Sequence, residues 1–191
     1  MWLLVPLGNP GAEYADTRHN LGRLMLMRWM QERVPAPRIR RRLDSGTIYD
    51  LKPPFQALVP STYMNLSGLA CAEAAASCDP ARMILLYDDK DLPLGLGRFR
   101  RTGSDGGHNG LKSVFAELQR QDLARLRLGM GPFQRPLVDF VLGRWSDPEW
   151  ARIDAMDAPF ARFMDLLGAT EDLDALAGTV NPESFWHPSL P

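Results

Sequence analysis

The sequence predicts an α/β domain: a central, twisted, mixed and mostly parallel sheet with helices on both faces. Three observations carry this expectation. Residues 2–5, Trp2-Leu3-Leu4-Val5, and the apolar run that ends at Tyr87 read as strands buried on both faces, as parallel pairing requires. Helical segments at residues 21–33, 69–77 and 111–118 separate the strand-like runs. Polar turns follow the strands, at the carboxyl ends where open α/β sheets form their binding crevices.

After the first strand come Leu7-Gly8-Asn9-Pro10-Gly11, then Tyr14 and Thr17-Arg18-His19-Asn20. Glycine permits the tight turn, and Pro10 holds Asn9 extended, so a polar side chain stands at a strand end. Residues 21–33 are too apolar all round for a surface helix and should pack on the sheet, with Pro35 and Pro37 ending them. The run Arg38-Ile39-Arg40-Arg41-Arg42 reads equally as a solvated loop, an edge strand or a phosphate contact. Residues 47–51 and 55–59, separated by Lys52-Pro53-Pro54, predict a hairpin.

A polar turn containing Thr62-Tyr63-Met64-Asn65 then leads into the helix at 69–77, which Asn65 is placed to cap. The strand at 82–87 should end at Asp88-Asp89-Lys90-Asp91. Residues 97–101 form a short basic strand, 102–110 a glycine-rich loop, and 126–130 a returning strand. Ser146-Asp147-Pro148-Glu149 is a capping box that launches a helix to about residue 167, with a shorter one at 170–177. These divide the chain into a domain of residues 1–180, with a helical, lid-like segment at 146–180, and a loose Pro-rich tail at 181–191.

A chain of 191 residues suits one domain with a sizeable core. No stretch approaches the roughly 18 apolar residues of a membrane span, and no secretory signal opens the chain. Cys71 and Cys78 are seven residues apart in one Ala-rich segment. On a helix that is about 10 Å, too far for a disulfide, which suits a reduced, cytoplasmic protein. The net charge of −1 hides an asymmetry: residues 1–145 carry +6 and residues 146–191 carry −7. A basic body of this kind can hold a polyanion.

Three loops bring chemistry toward one sheet edge: Asn9, His19 and Asn20; Asp88 and Asp91; His108 and Asn109. Of the three histidines, His187 lies in the tail, leaving His19 and His108 for proton transfer near neutral pH. A histidine beside a carboxylate from a neighbouring strand end suits a general base, and asparagine amides suit a developing oxyanion. Lys90 interrupts the aspartate cluster, so no metal is expected. The glycine loop is no P-loop, because Leu111 separates Gly110 from Lys112-Ser113; it lacks the dinucleotide spacing, and no serine sits in a G-x-S-x-G elbow. Arg98 and Arg100 share one strand face, as do Arg125 and Arg127, and such pairs suit phosphate oxygens or an ordinary charged surface.

Five motifs together resemble the bacterial peptidyl-tRNA hydrolase family over residues 2–180. They are Leu7-Gly8-Asn9-Pro10-Gly11 with Tyr14 and Thr17-Arg18-His19-Asn20; Thr62-Tyr63-Met64-Asn65-Leu66-Ser67-Gly68; Asp88-Asp89-Lys90-Asp91-Leu92-Pro93; the loop Gly103 to Ser113; and Asp139-Phe140-Val141-Leu142-Gly143. The resemblance implies a monomeric, cytoplasmic esterase without metal or cofactor, which cleaves peptide from tRNA and recycles the tRNA of aborted translation. It implies His19 as catalytic base with Asp88 as its partner, and Asn9, Asn65 and Asn109 as substrate and transition-state ligands. Tyr14 and Met64 would line the peptide side, and Arg98, Arg100 and Arg127 would meet tRNA phosphates. Gly131-Pro132-Phe133 and the acidic segment after residue 145 depart from the family pattern. The competing readings are a non-catalytic RNA-binding relative of the same fold, and another small hydrolase acting on peptides or amino-acid esters.

Overall fold

A computed structural model describes residues 1–34 and 36–187. Among them one seven-stranded sheet runs in the order β2-β3-β4-β1-β5-β7-β6. Its strands are β1 (Trp2–Pro6), β2 (Arg38–Arg42), β3 (Gly46–Asp50), β4 (Phe55–Pro60), β5 (Met83–Pro93), β6 (Gly97–Arg100) and β7 (Ala124–Gly131). The four central strands are parallel, while β2, β3 and β6 are attached antiparallel at the edges. The mixed sheet with a parallel centre is the one the alternating strands and helices predict.

Strand alternation divides the core into two layers. Leu4, Ile84, Leu86, Leu126 and Leu128 face one side, with α1 (Leu21–Arg33) and α5 (Asp147–Ala169) packed over them. Leu3, Val5, Leu85 and Tyr87 face the other, beneath α2 (Ser67–Ala75) and α3 (Asn109–Leu118). α1 is anchored at both levels: Arg28 holds Asp154 at 2.8 Å and Asp157 through Nε at 3.0 Å on α5. Gly22, at its other end, lies against β5 so closely that a Cβ would overlap the Leu86 carbonyl. That close approach brings the residue just before α1, and hence His19, beside the carboxyl half of β5.

Four expectations are revised. The strand expected to end at Tyr87 continues to Pro93, because β7 pairs with it through Asp89 and again at Pro93 after an irregularity; ladder hydrogen bonds outweigh the polar sequence. Asn65 does not cap α2: it lies in a 3₁₀ turn (Met64–Leu66), and Leu66 occupies the N-cap position. α2 also ends at Ala75, so Cys78 lies beyond it; both cysteines are free thiols.

The expected loose tail is the fourth. Through residue 187 it is packed: α6 (Leu173–Val180) and α7 (Glu183–Trp186) close over β6. Asn181 answers both backbone groups of Phe99, accepting at 2.7 Å and donating at 3.0 Å, as a further strand would. Trp186 is fully buried, lies against Gly97 and donates to the Val180 carbonyl at 2.8 Å. Residues 188–191 and Pro35, named above as a helix terminator, lie outside the described residues. The capping box at Ser146 forms as expected, and α5 runs on to Ala169 through Pro159. The run at 38–42 is an edge strand.

Candidate active site

The turn after β1 is held by its own motif. Asn20, buried at the end of a 3₁₀ turn (Arg18–Asn20), accepts from the Asn9 backbone N–H at 2.8 Å and donates to the Asn9 carbonyl at 2.9 Å. Arg23 adds a bond to that carbonyl at 3.1 Å. The Asn9 side chain accepts from the Met64 N–H at 2.8 Å. A backbone N–H needs an acceptor, so Oδ1 faces Met64 and the amide nitrogen of Asn9 remains as a donor. Asn20 is thus a clamp on Asn9; nothing in the sequence separates that part from a ligand's.

On the other flank, Arg18 grips Glu149 with two bonds of 3.0 Å and lies over the rings of Phe140 and Trp145. Its backbone N–H donates to Gly143 at 3.0 Å. Through these contacts α4 (Leu137–Leu142) and the start of α5 brace the turn that carries His19.

Asp88 is the centre of the site. Its carboxylate, 2 % exposed, receives His19 Nδ1 at 3.0 and 3.1 Å and His108 Nε2 at 3.0 Å. The tautomers follow from the remaining bonds. His108 caps α3 by accepting the Leu111 N–H on Nδ1 at 3.3 Å, so its proton sits on Nε2 and goes to Asp88. Both nitrogens of His108 are therefore used. His19 gives its Nδ1 proton to Asp88, leaving Nε2 with a free lone pair. Two histidines that residue chemistry alone left as equal candidates are separated by one backbone N–H, on the side of His19 that the motif resemblance implied.

Electrostatics reinforce the arrangement. Burial lowers the pKa of His19, but the charge and hydrogen bond of Asp88 more than reverse this and leave it raised above 6.5. Burial acts upward on Asp88, yet the charges and hydrogen bonds of His19 and His108 hold it well below the ordinary carboxylate range. The donor atoms of His19, Asp88 and His108 lie within 4.8 Å of one another, close enough to hold a metal ion. A metal there would have to replace both imidazole protons now shared with the carboxylate. The neighbouring aspartates are engaged elsewhere: Asp89 with Arg127 Nε at 2.6 Å, Asp91 with Lys90 at 2.6 Å.

These groups open on a cleft of about 350 Å³, with α4 as one wall and the glycine loop as the other. His19, Asp88, Asn109, Arg100 and Arg127 line it; Asn9, Tyr14, Met64, Asn65 and Arg98 lie outside that lining. Asn109 is exposed at the start of α3, and Asn65 is exposed in its turn. Tyr14 meets Tyr63 edge-on, ring centres 6.1 Å apart. The Met64 side chain is buried, its sulfur against Gly110.

Arg98 stands opposite Arg127, and Arg100 opposite Arg125, across β6 and β7. Arg98 lies 3.9 Å from Glu183. Arg125, grouped with Arg127 on sequence, is not a surface cation. It is fully buried and donates to the carbonyls of Gly103, Ser104, Gln121 and Leu123 at 2.8–3.2 Å, which ties down the glycine loop.

Comparison with known proteins identifies the family and the fold. The peptidyl-tRNA hydrolase family model matches residues 3–185. A peptidyl-tRNA hydrolase of Thermotoga petrophila is 44% identical over 157 residues, covering 78% of this chain and 80% of that one. Another, of Chloroflexus aggregans, is 38% identical over 192 residues, covering 95% of this chain and all of that one. Among solved structures, a peptidyl-tRNA hydrolase complexed with N-propanol superposes with a TM-score of 0.83 at 26% identity, covering 95% of each chain. The enzyme from Acinetobacter baumannii gives 0.82 at 26% identity and the same coverage. By sequence along nearly its whole length, and by fold, the chain belongs to the peptidyl-tRNA hydrolase family.

Proposed function

We propose that this protein hydrolyses the ester between a peptide, or an N-blocked amino acid, and the ribose of tRNA. The observation that carries the reading is the orientation of His19: Nδ1–H held by buried Asp88, Nε2 unoccupied at the cleft. A water bonded to Nε2 attacks the ester carbon and gives its proton to His19. The imidazolium that forms is stabilised by Asp88, as the raised pKa of His19 reflects. The carbonyl oxygen gains charge as the tetrahedral intermediate forms. Asparagine amides answer it without adding a charge that would alter the base. Asn9 has a free amide donor held in place from three sides, and Asn109 and Asn65 are the others in this part. When the intermediate collapses, the ribose oxygen leaves and takes the proton from His19.

Tyr14 belongs on the peptide side of the substrate, and Met64, buried against Gly110, supports that side from within through the backbone N–H that holds Asn9. Arg98, Arg100 and Arg127 meet phosphates of the RNA end, with Arg127 aimed by Asp89. The protein works as a monomer in the cytoplasm with no metal or cofactor, and its functional domain takes in the packed segment through residue 187 as well as residues 1–180. Among the described residues no helix is long and apolar enough to cross a membrane. The intact base and its carboxylate weigh against a purely RNA-binding relative.

The test is hydrolysis of an N-acetyl-aminoacyl-tRNA by the wild type and by His19→Ala, with and without a chelator. Cleavage that the chelator spares and the substitution abolishes is the expected result. Binding without cleavage by the wild type would leave an RNA-binding protein. Equal cleavage of an amino-acid ester lacking the tRNA would point to a different small hydrolase.

A further inference from the structure

The outermost strand at the edge away from the cleft carries a charge that ester hydrolysis does not use. All five residues of β2 are exposed, and four of them are arginines. Between residues 33 and 52 there are six cationic side chains and two carboxylates. Arg40 meets Asp50 at 3.5 Å, and Arg41 donates to Ser77 Oγ at 3.1 Å. Arg38 and Arg42 have no carboxylate partner among the described residues. Cations from three separate segments converge here: Arg33 from the end of α1, Arg38 from β2 and Lys52 from the turn after β3 all border one shallow depression.

Exposed edge strands are often charged merely to prevent pairing with another sheet. Here the register with β3 already shifts between Ile39 and Arg41, and that irregularity disrupts the edge by itself. Four like charges in five residues repel one another, which edge protection does not require. Neighbouring side chains of a strand point to opposite faces, and Arg40 and Arg41 accordingly meet different partners, Asp50 and Ser77, so the arginines line the edge on both sides. An edge of this kind fits a flexible polyanion whose phosphates can meet donors on either side.

We propose that β2, with Arg33 and Lys52, is a second RNA-backbone contact, separate from the one that holds the ester-bearing end. The sheet order sets the separation: β2 and β6 are its opposite edges, six strand spacings or about 29 Å apart. RNA anchored at Arg98, Arg100 and Arg127 therefore reaches β2 only through a distant part of the same tRNA, or through another RNA. The contact reads charge and not sequence.

The test uses Arg38→Gln/Arg42→Gln, substitutions on an exposed strand outside the catalytic cleft. Binding of a labelled 20-nucleotide oligouridylate is followed across salt concentration, alongside hydrolysis of N-acetyl-aminoacyl-tRNA. Loss of two contacts lowers the slope of log K against log salt by about 1.4 and weakens binding about tenfold or more at 0.1 M salt. The kcat for hydrolysis stays unchanged, and Arg38→Lys/Arg42→Lys keeps the wild-type slope. A KM for tRNA that rises with the binding loss assigns the contact to the substrate's own distant part; an unchanged KM assigns it to a second RNA. Oligouridylate binding and slope equal to wild type would overturn the proposal, as would a fall in kcat. The contact is independent of the catalytic reading: a wild type that cleaves nothing, with the binding loss intact, refutes only the latter.

Discussion

Asp88→Asn tests the catalytic arrangement at its centre, because the amide keeps the shape of the carboxylate and removes one acceptor. Asp88 serves two imidazole donors, and the tautomer of His108 is pinned by the Leu111 N–H. In the variant, Oδ1 answers His108 Nε2, and the amide nitrogen takes the place of Oδ2, 3.0 Å from His19 Nδ1. His19 Nδ1–H is then left with only Oδ1, 3.1 Å away and already shared with His108, beside an amide N–H that favours moving the His19 proton to Nε2, where the water should bind. A lost base costs about 10²- to 10⁴-fold in kcat, and the same change in the serine-protease triad costs about 10⁴-fold. We expect a fall within that range for N-acetyl-aminoacyl-tRNA. The pH profile gives a second readout. In the wild type the acidic limb lies above pH 6.5, since Asp88 raises His19; without the charge, burial alone acts and the limb moves below 6.5. A kcat within about fivefold of wild type, well short of the cost of a lost base, or an unmoved limb, would refute the reasoning.

Stability follows the same pair. Asp88, depressed when folded, contributes stability above its unfolded value of 3.8 that is lost as the pH falls through its folded pKa. His19, raised when folded, contributes stability present below 6.5 that is lost as the pH rises through its folded pKa. The difference between wild type and Asp88→Asn in denaturant unfolding is therefore largest between pH 3.8 and 6.5.

Three further outcomes are expected. Gly22→Ala forces α1 away from the Leu86 carbonyl; overpacking of about 1–3 kcal/mol should appear in urea unfolding, together with a lower kcat as His19 shifts from Asp88. Arg125→Met removes donors to four carbonyls, so about 2–4 kcal/mol is lost, and limited proteolysis should cut the glycine loop first; unchanged protection would show the clamp to be idle. Trp186→Ala opens a cavity beside Gly97 and should cost about 3–5 kcal/mol in thermal unfolding, whereas a loose tail would lose almost nothing.

Much of this protein was legible in its sequence. The buried strands, the hairpin at 46–60, the capping box at Ser146 and the mixed sheet follow from apolar runs, turn residues and caps, all of them local signals. So do Asn9, His19 and Asp88, because chain direction alone brings the loops after the parallel strands β1 and β5 to one edge; His108 and Asn109 follow the antiparallel β6 and reach that edge only because the glycine loop doubles back. The five motifs identify the family for the same reason: each is a contiguous stretch.

What the tertiary structure decided is how those groups divide the work, and that depends on partners distant in the chain. The motif resemblance implies His19 as the base, but residue chemistry alone leaves the two histidines equal. Leu111 and Asp88 separate them, by using both nitrogens of one and a single nitrogen of the other. Arg125 and Arg127 are two residues apart on one strand, yet one is fully buried and spent on four loop carbonyls, while the other is partly exposed and paired with Asp89. Asn20 turned out to be a clamp, and the tail a cover for β6, because each answers backbone groups that only the folded sheet brings near. A sequence specifies which donors and acceptors exist; which of them remain unsatisfied, and so available to a substrate, is settled only when the fold has paired the rest.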